Sequence, residues 1–207
     1  LIELIDICCG LMEYPAWVNE GLDQEEADEL KKHRFFVGDT IEDCCRLLGC
    51  DAVLAQIGAR IQKVVTRQQQ QSPAERAQQW QGIESCLFAV KSVSKFIPKS
   101  EEAMIPHVMN LFQQQYAVNT TLSHLFRNTC NLLVGSYAAW IKAHPTYLES
   151  FFQFVTFGLN DPLTAETSAA AVRQLCECCN VLMGNPVLQL YEHVVASNAI
   201  ELRDELQ

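Results

Sequence analysis

Glycine and proline are scarce in this chain. Its 207 residues include 9 glycines and 7 prolines, about 8% together, against a usual share of ~12%. A turn-dense all-β domain needs more of both, so the shortage favours helices joined by short connections. Long apolar runs are also missing. None approaches the ~18 residues of a membrane span, and no membrane partner is expected. The opening Leu1-Ile2-Glu3-Leu4-Ile5-Asp6 lacks the basic and apolar regions of a signal peptide. Basic side chains are few, 15 against 25 acidic ones, for a net charge of −10. That excess repels phosphate backbones, so direct nucleic-acid binding is not expected. With 49% apolar and 19% charged residues, the chain carries enough apolar surface for a sizeable core, which excludes wholesale disorder.

Catalytic patterns are absent as well. There is no G-x-x-x-x-G-K-[ST] loop, no G-x-G-x-x-G, no G-x-S-x-G and no H-E-x-x-H. The five histidines, His33, His107, His124, His144 and His193, are scattered. The residues therefore point to no catalytic group, no cofactor and no metal, and a non-enzymatic protein is expected.

Ten cysteines are present: Cys8-Cys9, Cys44-Cys45, Cys50, Cys86, Cys130, Cys176 and Cys178-Cys179. A disulfide framework belongs to short, loop-rich secreted chains. Here most cysteines stand among apolar residues at helical spacing, where Cys acts as a small buried hydrophobe. Reduced core thiols in a cytosolic or nuclear compartment are expected. Zinc at Cys176-x-Cys178-Cys179 is disfavoured. No second ligand pair matches it, and a helix points Cys176 and Cys178 roughly 200° apart.

From Ser72 onward the apolar spacing is helical. Ser72-Pro73-Ala74-Glu75 reads as a capping box, and the next helix carries Ile83, Cys86, Leu87, Val90, Val93 and Ile97 up to Pro98. Ser100 is the expected cap of a helix burying Ile105, Val108, Met109 and Phe112. A long helix from about Thr120 to His144-Pro145 follows, then a shorter one with Leu148, Phe151, Phe152 and Val155. Asp161-Pro162 is read as the start of the next long helix, which ends at Asn185-Pro186 before another short one. The breaker prolines Pro98, Pro145 and Pro186 lie 47 and 41 residues apart. A helix pair recurring at ~40–47 residues has the period of HEAT or armadillo units. The pattern predicts an all-α fold, an α-solenoid of HEAT-like antiparallel helix pairs in a segment of right-handed superhelix. Three consecutive repeats are placed at about 72–117, 118–160 and 161–197, with the start of a further helix after them.

Residues 1–71 are less regular. Leu1 to Tyr14 reads as one helix, closed by Pro15. Glu20 to Glu29 holds six acids in ten residues and reads as a solvated loop entering a helix N-terminus. A helix through Phe35, Phe36, Ile41 and Cys45 to Leu48-Gly49 follows, then one over about Asp51–Val65. The glutamine-rich stretch 67–72 reads as an inter-repeat loop.

Several phrases, in order, resemble the importin-β (karyopherin-β) superfamily and within it the transportin-SR and importin-thirteen branch. Phe35-Phe36-Val37-Gly38-Asp39-Thr40-Ile41-Glu42-Asp43 is similar to that branch's F-R-x-x-V-x-D-x-x-x-D helix, with the arginine displaced here to Arg34, before the phenylalanine pair. Trp80-Gln81-Gly82-Ile83-Glu84-Ser85-Cys86-Leu87-Phe88 is similar to W-x-x-x-E-A-x-L-F. His144-Pro145-Thr146-Tyr147-Leu148, Phe157-Gly158-Leu159 and the Ser168–Cys179 stretch resemble further phrases. The resemblance implies a central HEAT-repeat piece of a longer nuclear transport receptor that shuttles between cytoplasm and nucleus. It implies a basic protein cargo such as SR-type proteins. It also implies Phe-Gly nucleoporins as partners, and the Ran GTPase bound mainly outside these residues. On that reading the cargo-facing candidates lie on the shorter helices: Gln113, Glu149, Gln153, Gln189 and Glu192. A HEAT-repeat scaffold or adaptor for other proteins would have the same fold and stays open as an alternative.

Overall fold

The computed structural model describes residues 1–20, 23–70, 80–118, 123–184, 188 and 192. Helix accounts for 85% of them and no strand occurs among them. The all-α expectation holds. The chain divides into two compact units, Leu1–Leu133 and Val134–Gln207, described separately below.

In the first unit, α1 (Ile2–Leu11) leads through a 3-10 turn (Ala16–Glu20) to α2 (Gln24–Leu48). Helix α2 begins well inside the acidic run. The Asp23 carboxylate accepts the Glu26 N–H at 2.9 Å, and the Glu26 carboxylate accepts the Asp23 N–H at 3.2 Å. This reciprocal box satisfies two orphan donors and sets Glu25 and Glu26 at the positive end of the helix dipole. Charge that reads as loop is thus part of the helix start.

Gly49 closes α2 at φ +85°, a backbone region costly for any residue with a Cβ. It lets α3 (Cys50–Gln69) follow at once and fold back on α2. Helix α3 continues through Arg67, Gln68 and Gln69, where a loop is expected from sequence. Gln68 is buried, and glutamine is a good helix former. The Ser72–Glu75 capping box lies outside the described residues.

Helix α4 (Gln81–Ser92) stops at a 3-10 turn (Ser94–Phe96) ahead of Pro98. Helix α5 (Met104–Val118) follows. Its cap is Glu101, not Ser100: the Glu101 carboxylate accepts the N–H groups of Ala103, Met104 and Ile105 at 3.1, 2.7 and 2.7 Å. A charged acceptor satisfies more orphan donors than a hydroxyl and also complements the dipole. Glu101→Ala is expected to cost about 0.5–2 kcal/mol in an unfolding titration, while Ser100→Ala is near neutral.

Helices α2 and α4 pack side by side. So do α1 and α3, with α5 against α3. The two rows enclose Ile5, Met12, Ile41, Ile57, Ile83 and Leu87, all fully buried.

Helix α6 (His124–Ser136) carries the division between the units. The sequence reads as one helix to His144. The structure breaks it at Tyr137 (φ −99°, ψ 13°) before α7 (Ala138–Ala143). The break follows Gly135-Ser136, a weak helical pair. In the second unit Gly135 lets α9 (Ala165–Cys179) approach closely, since a Cβ there would lie 3.2 Å from the Ala171 Cα. Helix α8 (Leu148–Phe157) is preceded by a 3-10 turn (Pro145–Tyr147), and α9 packs on both α7 and α8. Pro162 is not in the first turn of α9. Asp161 accepts the Leu163 N–H at 3.0 Å, and the Thr164 hydroxyl donates to the Gly158 carbonyl at 2.8 Å, forming a turn before Ala165.

All ten cysteines are free and seven are buried, with Cys50, Cys176 and Cys178 half-buried. Burial pushes the Cys45 thiol up to about 11 and Cys86 up to about 12. A raised thiol holds less thiolate at neutral pH and reacts more slowly. Thiol titration of the native chain at pH 8 is therefore expected to show a fast class of at most three groups. Denaturation should release all ten.

Candidate functional site

Helix α8 buries Leu148, Phe151, Phe152 and Val155 on one side. Its other side leaves Glu149 and Gln153 exposed. At i, i+4 they sit one turn apart, and Phe157, 52% exposed, continues the same stripe. The arrangement offers a carboxylate, a carboxamide and an aromatic ring along one face. It can accept hydrogen bonds from cationic groups. Glu192 is also exposed, four residues after exposed Leu188. Gln113 is half-buried near the end of α5 and already engaged. Gln189 lies outside the described residues. The structure thus brings together Glu149 and Gln153 on α8 and sets Gln113 on α5.

His144, just before α8 in the chain, packs against α7. The His144 ring stacks on Trp140, centroids 3.9 Å apart, and Nδ1 lies 2.9 Å from the Trp140 carbonyl oxygen. Among the described residues no group of three His, Cys, Asp or Glu is placed to hold a metal ion.

The most concentrated chemistry is buried in the first unit, where sequence reading assigned no site. Arg34 from α2 is 3% exposed and Glu84 from α4 is 0% exposed. Arg34 Nη2 donates to both Glu84 oxygens, at 2.6 and 2.7 Å. The Thr129 hydroxyl from α6 donates to Glu84 Oε1. Arg34 Cζ lies 4.0 Å from the Tyr14 ring centroid and 4.3 Å from that of Phe88. Burial pushes the Glu84 carboxyl up; the Arg34 guanidinium and the Thr129 hydroxyl pull it back. Two aromatic faces and a carboxylate compensate the buried cation. A weaker counterpart links α3 to α1 and the turn after it: Arg60 donates to the Asp6 carboxylate at 3.1 Å and to Glu13 at 2.5 Å, part-buried.

The node also clarifies two of the sequence phrases. Counted from Arg34, Val37, Asp39 and Asp43 stand at the R-x-x-V-x-D-x-x-x-D spacing, with His33 in the place of phenylalanine. The arginine is not displaced. It meets the glutamate of the W-x-x-x-E phrase, since Glu84 is four residues after Trp80. Two phrases 50 residues apart are joined by one ion pair.

Residues 102–192 match the family described as the Transportin-3/Importin-13 third TPR domain. The chain is 24% identical to the mRNA transport regulator MTR10 of Saccharomyces cerevisiae, over 99% of this chain and 20% of that protein. It is 27% identical to Transportin MOS14 of Arabidopsis thaliana, over 86% of this chain and 18% of that one. Human Importin-13 is 20% identical over 86% of this chain and 17% of its own length. The chain thus spans about a fifth of the length of these relatives. A solved structure titled "Importin13 cytosolic state" superposes with a TM-score of 0.80, covering 97% of this chain and 22% of that one at 20% identity. That likeness shows the fold, a solenoid of helix pairs. The phrases, the family match over residues 102–192 and the fold agree in likening the chain to the transportin-3/importin-13 branch of the importin-β superfamily.

Proposed function

We propose that the chain is part of a nuclear transport receptor that binds a basic protein cargo, of the SR type, and carries it through the nuclear pore under Ran control. The observation behind this reading is the match to the transportin-3/importin-13 family over residues 102–192, within a fold likeness covering 97% of the chain. The charge of −10 supports a basic cargo, because an acid excess steers cations toward the surface over distances beyond contact. Repeats near 72–117, 118–160 and 161–197 supply the surface. Glu149 and Gln153 on α8, with Gln113, Gln189 and Glu192, face the cargo. Phe-Gly nucleoporins bind elsewhere on the receptor, Ran mainly outside these residues, and the protein shuttles between cytoplasm and nucleus.

The test of the cargo face is charge reversal in the natural protein that contains this chain. Glu149→Lys is expected to weaken binding of an Arg/Ser-repeat peptide by a few-fold, as exposed charge pairs contribute about 0.2–1 kcal/mol. The loss should shrink at high salt. Unchanged affinity in both Glu149→Lys and Glu192→Lys would remove these residues from the site.

A further inference from the structure

Apolar packing fixes the position of α4 along its neighbours only in part. A slide by one turn, four residues, replaces Ile83 by Leu87, Cys86 by Val90 and Ala89 by Val93. Each of these three exchanges swaps one buried apolar side chain for another, while Lys91 and Ser92 would take the buried places of Leu87 and Phe88. Ridge-into-groove contacts repeat every turn, so they discriminate weakly between such registers. The polar node does not repeat. The same slide puts Phe88 where Glu84 stood, facing Arg34 and Thr129 with no acceptor.

We propose that Arg34, Glu84 and Thr129 form a register lock for the successive helices α2, α4 and α6 of the first unit, one that selects a single stacking of the helix pairs and adds little net stability. Three observations carry this. The three groups come from three different helices and meet on one carboxylate. They are buried to 3, 0 and 2% exposure, so a shifted register would leave an uncompensated charge away from water. Arg34 Nε has no hydrogen-bond partner among the described residues, and a buried pair that is imperfectly satisfied gains little against an apolar replacement. The buried Asn that fixes the register of a coiled coil is the physical precedent.

The test compares three forms of the natural protein by hydrogen exchange read on peptides covering 81–92 and 124–136, together with thermal melting. The wild type should show one slowly exchanging population at α4. In the triple variant Arg34→Met/Glu84→Leu/Thr129→Val, melting of this region should stay level or rise. Its α4 peptides should instead exchange at least about tenfold faster or split into two populations, because several registers interconvert. Glu84→Gln keeps an acceptor for both partners and should keep the single population even where melting falls. A triple variant with wild-type protection in one population overturns the lock. So does a triple variant that fails to fold, because the node would then supply stability and not selection.

Discussion

Glu84→Leu alone is expected to cost about 3–5 kcal/mol, far more than an ordinary surface substitution. The loss does not come from the leucine, which suits the apolar surroundings of α4. It comes from Arg34, which stays 3% exposed with its carboxylate partner removed. The Tyr14 and Phe88 faces offset part of that, on the order of 2 kcal/mol for a desolvated cation–π contact, and cannot replace a bidentate carboxylate. Against a typical total of about 5–15 kcal/mol, the first unit should open locally before the second. Adding Arg34→Met to the same chain should return most of the loss, since no charge is then left buried. Urea unfolding of the single and double variants, followed by α4 exchange, measures both. Equal destabilisation in the two variants would show that the node acts as packing volume and not as a charge pair.

Phe151→Ala is expected to cost about 3–5 kcal/mol in the second unit. Phe151 is 1% exposed and stacks on Tyr147 at a centroid distance of 5.7 Å and an interplanar angle of 14°. Truncation leaves a cavity between α8 and its turn, and the ring contact, about 0.5–1.5 kcal/mol beyond area burial, is lost with it. Phe157, on the same helix and 52% exposed, is the internal control: Phe157→Ala should change stability by no more than about 0.5 kcal/mol. Thermal unfolding of the pair separates the buried face of α8 from its exposed stripe. Comparable losses would contradict the face assignment.

Much of the fold was legible in the sequence because helices announce themselves by period and by proline. The stripe Ile83, Cys86, Leu87, Val90 and the stop ahead of Pro98 needed no long-range information. Caps were harder. Ser100 and Glu101 are adjacent possible acceptors, and which one turns onto the helix N–H groups depends on the three-dimensional turn. The start of α2 was hidden because six acids read as solvated loop, although Asp23 and Glu26 carry the capping-box spacing three residues apart. The break at Tyr137 follows Gly135-Ser136, a weak helical pair that leaves the apolar spacing of the long helix uninterrupted.

The Arg34–Glu84 pair was the least visible feature. Helical spacing puts Glu84 next to Ile83 on a flank that looks solvated, and only the packing of α2 and α6 makes it interior. A signal existed in the two phrases, whose arginine and glutamate stand at family spacing, but pairing them requires the fold. The polar stripe on α8 is the reverse case. Glu149 and Gln153 were recognisable as one exposed face from the i, i+4 spacing alone, whereas what that face meets is not written in the spacing.

The most direct measurement of the central claim is capture of an SR-type cargo by the natural protein that contains this chain, with and without GTP-loaded Ran. The transport-receptor account, taken as import, predicts that cargo binds in the absence of Ran-GTP, is released when Ran-GTP is added and is not released by the GDP form. Cargo that stays bound in the presence of Ran-GTP would contradict it.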